Sequence, residues 1–293
     1  MDNRQNNLIA WTTFTLLCLV WGSSFILIKK ALLAFDPFQI AGLRMVLAAL
    51  FLLPFVIGKA KKLTRTEWKF VMVMGLIGNG IPAFLFPLAE THINSATAGV
   101  MNALSPLFVL LIGFLLFEFR FSSRQVAGVF LGLAGALILI LSGGAEVDLW
   151  GNALYSILVV IATILYGFST NIMKRYLNHA PSVQASGFAL LTIAIPYSIY
   201  LLFAGLPEVF ETNDHAWASL GYIVILGGFG TAVALVLFYR LVQVSGPIFA
   251  SSVTYFIPVV ALMWGLLDGE SFSLAQFGGM GVILAGVYLS NRK

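Results

Sequence analysis

Eight uncharged side chains that can form hydrogen bonds or stack on a ring lie inside long apolar stretches of the sequence. They are Trp21, Ser24, Asn79, Asn102, Tyr166, Asn171, Thr231 and Thr254. A buried amide or hydroxyl group costs free energy unless it finds a hydrogen-bond partner. That partner is either a bound small molecule or water, which predicts a binding site, or a neighbouring helix, which predicts a packing contact. The residue types leave both interpretations open. For the two aromatic rings the alternatives are stacking or gating on one hand and core packing on the other.

One arginine lies unambiguously within an apolar stretch. Arg44 stands about two helical turns into it, and a charge in apolar surroundings is costly and often functional. One interpretation is structural, because an arginine near the end of such a stretch can snorkel to the surface or pair with Glu90 or Asp36. The other is that its guanidinium attracts a carboxylate or phosphate on a ligand.

The remaining reactive residue types are scattered along the sequence. His92, His179 and His215 lie singly in different loops, and the chain has one cysteine, Cys18. A disulfide, a cysteine metal site or a nucleophile with its base needs several such groups together. The sequence therefore predicts no cofactor and no metal. Glu90 and His92 are weak candidates for carrying a proton, because no apolar stretch has an acidic residue at its centre.

The composition predicts which elements hold these side chains. Hydrophobic residues make up 60% of the 293-residue chain, charged residues make up 10%, and the mean hydropathy is +0.97. So few charges cannot cover a water-facing surface, which indicates an all-α integral membrane protein in a lipid bilayer. About 20 helical residues cross the apolar core of a bilayer. Ten apolar segments reach this length, approximately 9–28, 37–57, 68–88, 95–117, 124–142, 150–173, 183–205, 216–239, 246–267 and 273–290.

Lysine and arginine are concentrated in the connections on one side of these segments. That side includes both termini and the basic cluster at 59–69, whereas the opposite side carries only Lys29 and Lys30. Because positively charged loops are retained in the cytoplasm, both termini are predicted to be cytoplasmic. The net charge of +4 follows from this topology and needs no acidic ligand. No basic patch with interleaved aromatic residues predicts nucleic-acid binding.

The chain contains an internal repeat. The segment Asn102–Glu118 recurs after a shift of 152 residues, which superimposes Pro106 on Pro258 and Glu118 on Glu270. A second shift, of 145 residues, aligns an upstream pair of segments. An internal repeat constrains the architecture more firmly than local propensities do. The two shifts pair the candidate residues as Trp21 with Tyr166, Ser24 with Ser169, Asn79 with Thr231 and Asn102 with Thr254.

The repeat divides the chain into residues 1–145 and 146–293, each with five apolar segments. An odd number of crossings forces the second copy to cross the membrane in the opposite direction. Two inverted five-helix repeats are typical of secondary transporters, whose binding site lies near the midplane between the halves. Glu118 and Glu270 would then end their helices at opposite membrane faces, where they cap or gate the site.

Glycine and proline mark the segments expected to line such a site. Residues 78–82 are a poor sequence for an unbroken helix, because Gly and Pro lower helix stability by about 1 and 3 kcal/mol. This segment and its glycine-rich repeat partner predict cavity walls, with close helix packing as the alternative. Pro106 and Pro258 predict kinks that release a carbonyl near mid-membrane. Gly128 and Gly132 form a GxxxG pair that joins either the two repeats or two protomers, so monomer and homodimer both stay open.

Several short motifs occur in an order that carries a family resemblance. They are Trp21-Gly22-Ser23-Ser24-Phe25 followed by Lys29, then Arg44, then Leu104-Ser105-Pro106 with Glu118, and finally Pro258 with Glu270. With them, the sequence resembles a bacterial drug/metabolite transporter of the EamA type over nearly its whole length. The resemblance implies a ten-helix inverted-repeat fold with a central cavity. It also implies alternating access, often with export of amino acids or other small metabolites across the inner (plasma) membrane.

The expected function is therefore secondary transport of a small-molecule substrate. The eight uncharged residues are expected to bind it, and gating or structural roles are expected for Arg44, Glu90, Pro106, Glu118, Pro258 and Glu270. One rival is an integral-membrane enzyme that acts on lipid, which needs a cluster of His, Asp or Ser at one membrane face that the sequence does not display. A second rival is a non-transporting membrane scaffold, which predicts a packed centre.

Overall fold

The computed structural model describes residues 3–93, 95–142, 153–260 and 273–291, and these residues form helices joined by short loops. No β-strand occurs in these four stretches, so the all-α class is confirmed for them. The α-helices, numbered in chain order, are α1 Asn3–Gly22, α2 Ser24–Ala31, α3 Pro37–Val56, α4 Arg65–Gly75, α5 Ile81–Glu90, α6 Ser95–Asn102, α7 Ser105–Phe117, α8 Ser123–Leu141, α9 Ala153–Tyr176, α10 Ser182–Leu202, α11 Leu206–Thr212, α12 Ala216–Gly227, α13 Ala234–Ser245, α14 Pro247–Ser251 and α15 Leu274–Asn291.

Within the described residues, seven continuous helical stretches are long and apolar enough to cross a bilayer. They are Asn7–Ala31, Pro37–Val56, Arg65–Glu90, Ala153–Tyr176, Ser182–Leu202, Ala216–Ser245 and Leu274–Asn291. Three shorter apolar helices accompany them, Ser105–Phe117, Ser123–Leu139 and Pro247–Val260. Large apolar side chains cover the outer surface, including Leu115 and Leu202. A surface this apolar suits lipid and is unfavourable in water. The chain is therefore a multi-pass membrane protein.

The tightest helix pair in the described chain joins α8 to α15. A Cβ atom added at Gly128 would lie 2.6 Å from the backbone nitrogen of Ser290, and one at Gly135 would lie 2.9 Å from the carbonyl oxygen of Gly279. Residue numbers rise along α8 as they fall along α15, so the two helices are antiparallel. Glycine permits this backbone-to-backbone approach because it has no side chain. The glycine face of α8 therefore packs within one chain.

The two helices of this pair also begin in the same way. At the start of α8 the Ser122 backbone nitrogen donates to Gln125 Oε1 at 3.0 Å, and the Gln125 nitrogen donates to Ser122 Oγ at 3.3 Å. Ser273 and Gln276 form the same reciprocal cap before α15, at 2.8 and 3.3 Å. Each cap satisfies backbone donors that a helix start leaves without an internal partner. The same pattern, a serine followed three residues later by a glutamine, therefore starts both helices.

The two glycine-rich segments are helical, but each is wound as a π-turn. Leu76–Gly80 joins α4 to α5, and Gly228–Val233 joins α12 to α13. The side chains of Asn79 and Thr231 each donate to the carbonyl oxygen five residues earlier, at 3.4 and 3.0 Å. Pro82 is the second residue of α5, which directly follows the first π-turn. The helices thus continue through segments that the sequence predicts to be broken. Such π-turns occur frequently at functional sites.

The helix geometry changes beside Pro106 and Pro258. α6 ends at Asn102 and α7 begins at Ser105, so Pro106 lies in the first turn of α7. The Ser105 hydroxyl donates to the freed carbonyl of Asn102 at 2.7 Å. Around Pro258 the counterpart is a 3₁₀ turn, Ser252–Phe256, which precedes the helical residues 257–260. Each proline therefore starts a new helical segment.

The acidic residues expected at the helix ends are placed only in part. Glu118 ends α7 in a left-handed conformation with φ 55°, and its backbone nitrogen donates to the carbonyl of Gly113. Its side chain is exposed, away from the centre of the protein. Glu270 lies outside the described residues. A capping position thus fits Glu118, and its gating role stays a prediction.

Candidate functional site

A cavity of about 150 Å³ lies between helices from both halves of the chain. Seven of the eight uncharged side chains selected from the sequence line it, namely Trp21, Ser24, Asn79, Asn102, Tyr166, Thr231 and Thr254. Arg44 lines it as well. The fold therefore brings together polar groups that lie far apart in the sequence, and the two π-turns and the break after Asn102 supply part of the wall.

Arg44 is held at the cavity wall by the second π-turn. Its Nε donates to Thr231 Oγ1 at 2.7 Å, and the Thr231 hydroxyl donates in turn to the Leu226 carbonyl at 3.0 Å. Among the described residues, no carboxylate lies within 4 Å of the guanidinium. Of the alternatives open for Arg44, an ion pair with Glu90 or Asp36 is not formed in the described structure. Asp36 instead caps α3 by accepting from the backbone nitrogens of residues 38 and 39.

Glu90 lies at the end of α5 and does not line the cavity. Its side chain is half-buried, and Oε1 has no hydrogen-bond partner in the described part of the chain. Glu90 therefore does not neutralise the guanidinium by contact.

Sequence reasoning missed Tyr239, which lines the cavity from α13. This side chain is 2% exposed, and its hydroxyl lies beside Asn79 and Ser169 without a hydrogen bond from any described residue. The signal that could have found it is helical spacing. Thr231, Leu235 and Tyr239 recur every four residues and all line the cavity, as expected for one face of a helix.

Two aromatic pairs stand at the cavity and correspond to each other under the repeat. Trp21 lies 5.3 Å from Phe238 between ring centroids, and Tyr166 lies 6.1 Å from Phe86. The shift of 145 residues relates Trp21 to Tyr166, and the shift of 152 relates Phe86 to Phe238. The Trp21 indole nitrogen also donates to the Gly230 carbonyl at 3.1 Å. Each pair thus joins one ring from each half of the chain.

Asn171 lies outside the cavity lining, unlike the other seven candidates. It is fully buried, and its Nδ2 donates to the Val109 carbonyl at 2.9 Å and to the Gly167 carbonyl at 2.8 Å. Val109 belongs to α7 and Gly167 to α9, so this amide ties the two helices together. For this residue the structure favours the helix-packing alternative.

Replacing Asn171 with alanine should therefore lower stability without lowering transport per folded molecule. We expect a loss of about 1 kcal/mol, because an amide that bridges two helices is removed. The thermal midpoint and the flux, normalised to folded protein, are measured on the same preparation. A variant that keeps its midpoint but loses flux would contradict this assignment.

Curated relatives resemble the chain over nearly its whole length. It is 27% identical over 288 residues to an uncharacterized transporter of Archaeoglobus fulgidus, covering 97% of this chain and 99% of that one. It is 28% identical over 280 residues to the uncharacterized inner membrane transporter YedA of Escherichia coli K12, covering 93% and 87%. It is 25% identical over 281 residues to an S-adenosylmethionine/S-adenosylhomocysteine transporter of Chlamydia muridarum, covering 92% and 87%.

A solved structure shares the fold. A crystal structure superposes on the chain with a TM-score of 0.72 at 20% identity, covering 98% of this chain and 96% of the other. At this level of identity the match shows the fold alone.

The sequence profile of the EamA-like transporter family matches the chain twice, over residues 9–141 and 153–292. Together these matches cover almost all of the sequence, in agreement with the resemblance carried by the motifs. The chain belongs to the EamA-like transporter family.

Proposed function

We propose that this membrane transporter is a secondary transporter of the inner (plasma) membrane that moves a small organic solute through the central cavity by alternating access. The observation that carries the proposal is the cavity itself, because its polar lining is assembled from both halves of the chain. A non-transporting scaffold would fill its centre with apolar side chains. Amino acids and related metabolites are the first solutes to test, and the S-adenosylmethionine transporters among the relatives support a small organic metabolite.

We also propose that the fold consists of ten membrane helices in two inverted repeats, residues 1–145 and 146–293, with both termini cytoplasmic. Two close helix contacts that correspond to each other under the repeat shifts support the inverted repeat. A Cβ atom at Gly75 would meet the Ala189 carbonyl oxygen at 2.5 Å, and one at Gly227 would meet the Arg44 carbonyl oxygen at 3.1 Å. The shift of 152 relates Gly75 to Gly227, and the shift of 145 relates Arg44 to Ala189. The antiparallel contact of α8 with its repeat partner α15 supports the same inversion.

Inverted repeats suggest how access alternates. A two-fold axis in the membrane plane places equivalent groups at equal depths on opposite sides of the midplane. The pair Trp21 and Phe238 and the pair Tyr166 and Phe86 then flank the cavity toward opposite faces. Closing one pair while the other separates would expose the site to one side at a time. The transporter is proposed to act as a monomer or homodimer and without enzymatic chemistry.

The test is flux across proteoliposomes with a panel of radiolabelled amino acids, monocarboxylates and related metabolites, with and without a pH gradient. Saturable flux of one solute class supports the proposal and shows whether a proton gradient drives it. An absence of flux across a broad panel by folded protein would weigh against transport through this cavity.

Replacing Asn79 and Asn102 with alanine in one variant should reduce the flux about tenfold or more, because two hydrogen-bonding groups of the site are lost. Asn178→Ala is the matched control, because Asn178 lies outside the central cavity. Flux and folded yield are measured for both. Unchanged flux in the double variant would remove these two amides from the solute site.

A further inference from the structure

The described lining of the central cavity carries a positive charge and no negative one. Arg44 lines the cavity, and none of the described lining residues is acidic. Glu90 forms no ion pair with Arg44, and its carboxyl group lies outside the cavity lining. A cation in low-dielectric surroundings is stabilised strongly by an anion that contacts it. The cavity is therefore better suited to a solute that brings a negative charge than to a neutral one.

The guanidinium of Arg44 is already oriented. Its Nε donates a hydrogen bond to the Thr231 hydroxyl, and that hydroxyl donates to the Leu226 carbonyl. No described residue accepts a hydrogen bond from the two terminal nitrogens. These two nitrogens present parallel N–H groups whose spacing matches the two oxygens of a carboxylate. The fixed Nε contact thus leaves the bidentate edge of the guanidinium available to a ligand.

The other residues of the cavity lining limit which chemical groups the rest of the solute can carry. Phe25, Phe86, Trp21 and Phe238 supply apolar and aromatic surface, and Asn102 supplies an amide. A phosphate dianion would leave excess negative charge beside a single arginine. The ammonium group of a zwitterion would find no acidic partner among the described lining residues. The lining therefore favours one negative charge on a body that is otherwise uncharged and largely apolar or aromatic.

We propose that the transported solute is a small organic monoanion with an apolar or aromatic body, and that Arg44 binds its carboxylate in a bidentate manner. This inference rests on the proposed transport function. It makes Arg44 a specificity-determining residue, because its terminal nitrogens contact the charged group. Thr231 is a positioning residue that acts through Arg44.

The experiment is calorimetric titration of the full-length protein in lipid nanodiscs with four probes that share a phenyl group. They are phenylacetate, neutral phenylacetamide, zwitterionic phenylalanine and phenyl phosphate. We expect phenylacetate to bind about 10- to 100-fold more tightly than phenylacetamide, which is the effect of charged hydrogen bonds to one group. Arg44→Gln should abolish this preference, and Arg44→Lys should restore only part of it because an ammonium lacks the bidentate edge. Arg240→Gln removes an exposed arginine outside the cavity and should keep the preference.

The wild-type comparison alone can overturn the inference, whether or not Arg44→Gln folds. Failure of phenylacetate to bind, or equal binding of acid and amide, overturns it. So does tighter binding of phenylalanine or phenyl phosphate than of phenylacetate. A flux measurement distinguishes an incorrect monoanion inference from an incorrect transport function. Saturable flux of a neutral or zwitterionic solute that is insensitive to Arg44→Gln would overturn the monoanion inference and leave the transport function in place.

Discussion

Replacing Gly286 with valine is expected to prevent α8 and α15 from packing and to leave little folded protein. A Cβ atom at this position would meet the backbone nitrogen of Gly132 and would lie 2.8 Å from the carbonyl oxygen of Gly128. Backbone atoms cannot move aside as a flexible side chain can, so the helices must separate. We expect a loss of about 3 kcal/mol or more, at the upper end for overpacked interiors. The measurement is the monodisperse fraction and thermal midpoint of the purified protein.

Gly281→Val on the same helix is the matched control. No atom lies within 4 Å of a Cβ atom placed at Gly281, so this variant introduces the same β-branched side chain without a clash. It should retain a thermal midpoint close to that of the parent. Similar midpoints for the two variants would show that close approach of α8 and α15 does not hold the fold together.

Replacing Asn102 with phenylalanine is expected to reduce transport to background while the protein stays folded. Asn102 lines the cavity at the end of α6. The phenyl ring at this position would occupy much of a cavity of about 150 Å³ that the solute must enter. Flux is measured in proteoliposomes, and folding is checked by the thermal midpoint.

Leu115→Phe places the same ring on α7, where the side chain is 68% exposed on the apolar outer surface. This control should transport at the rate of the parent. If Asn102→Phe retains the flux of Leu115→Phe, the solute passes by another route and the cavity is not the transport site.

The repeat is the reason that so much of the site could be predicted from the sequence. Trp21 and Tyr166, and likewise Asn79 and Thr231, stand out because the same position is polar or aromatic in both copies. Duplicated positions share their helix face, so a residue that reaches the centre in one copy reaches it in the other. Tyr239 has no polar partner at its repeat position, Pro87, and was missed for that reason.

Three features depend on tertiary geometry that the sequence does not encode locally. Glycine and proline predict weak helix at 78–82, but only the packed neighbours decide between a break and a π-turn. Arg44 has two carboxylates as plausible partners in sequence, yet the second π-turn places Thr231 closer. Asn171 has the same side chain as Asn102, but its place between α7 and α9 makes it a helix-to-helix contact.

The glycine pattern of α8 likewise does not predict whether its contact lies within one chain or between two chains. A GxxxG pair is compatible with contact inside a chain or between chains. The structure uses Gly128 and Gly135 for the internal contact of α8 with α15. That contact occupies this face of α8, so a homodimer would need another surface.

Access of a cavity cysteine to reagents from each side of the membrane is the most direct test of alternating access. Ser169→Cys is nearly isosteric and places a thiol in the cavity lining, in a Cys18→Ala background that removes the natural cysteine. Ser186→Cys is the control, because Ser186 is fully buried in α10 outside the cavity. A membrane-impermeant thiol reagent is applied to right-side-out and to inverted vesicles. Alternating access predicts labelling of position 169 in both preparations, with position 186 protected until the protein is denatured. Protection of position 169 in both preparations, with full labelling after denaturation, would contradict alternating access to this cavity.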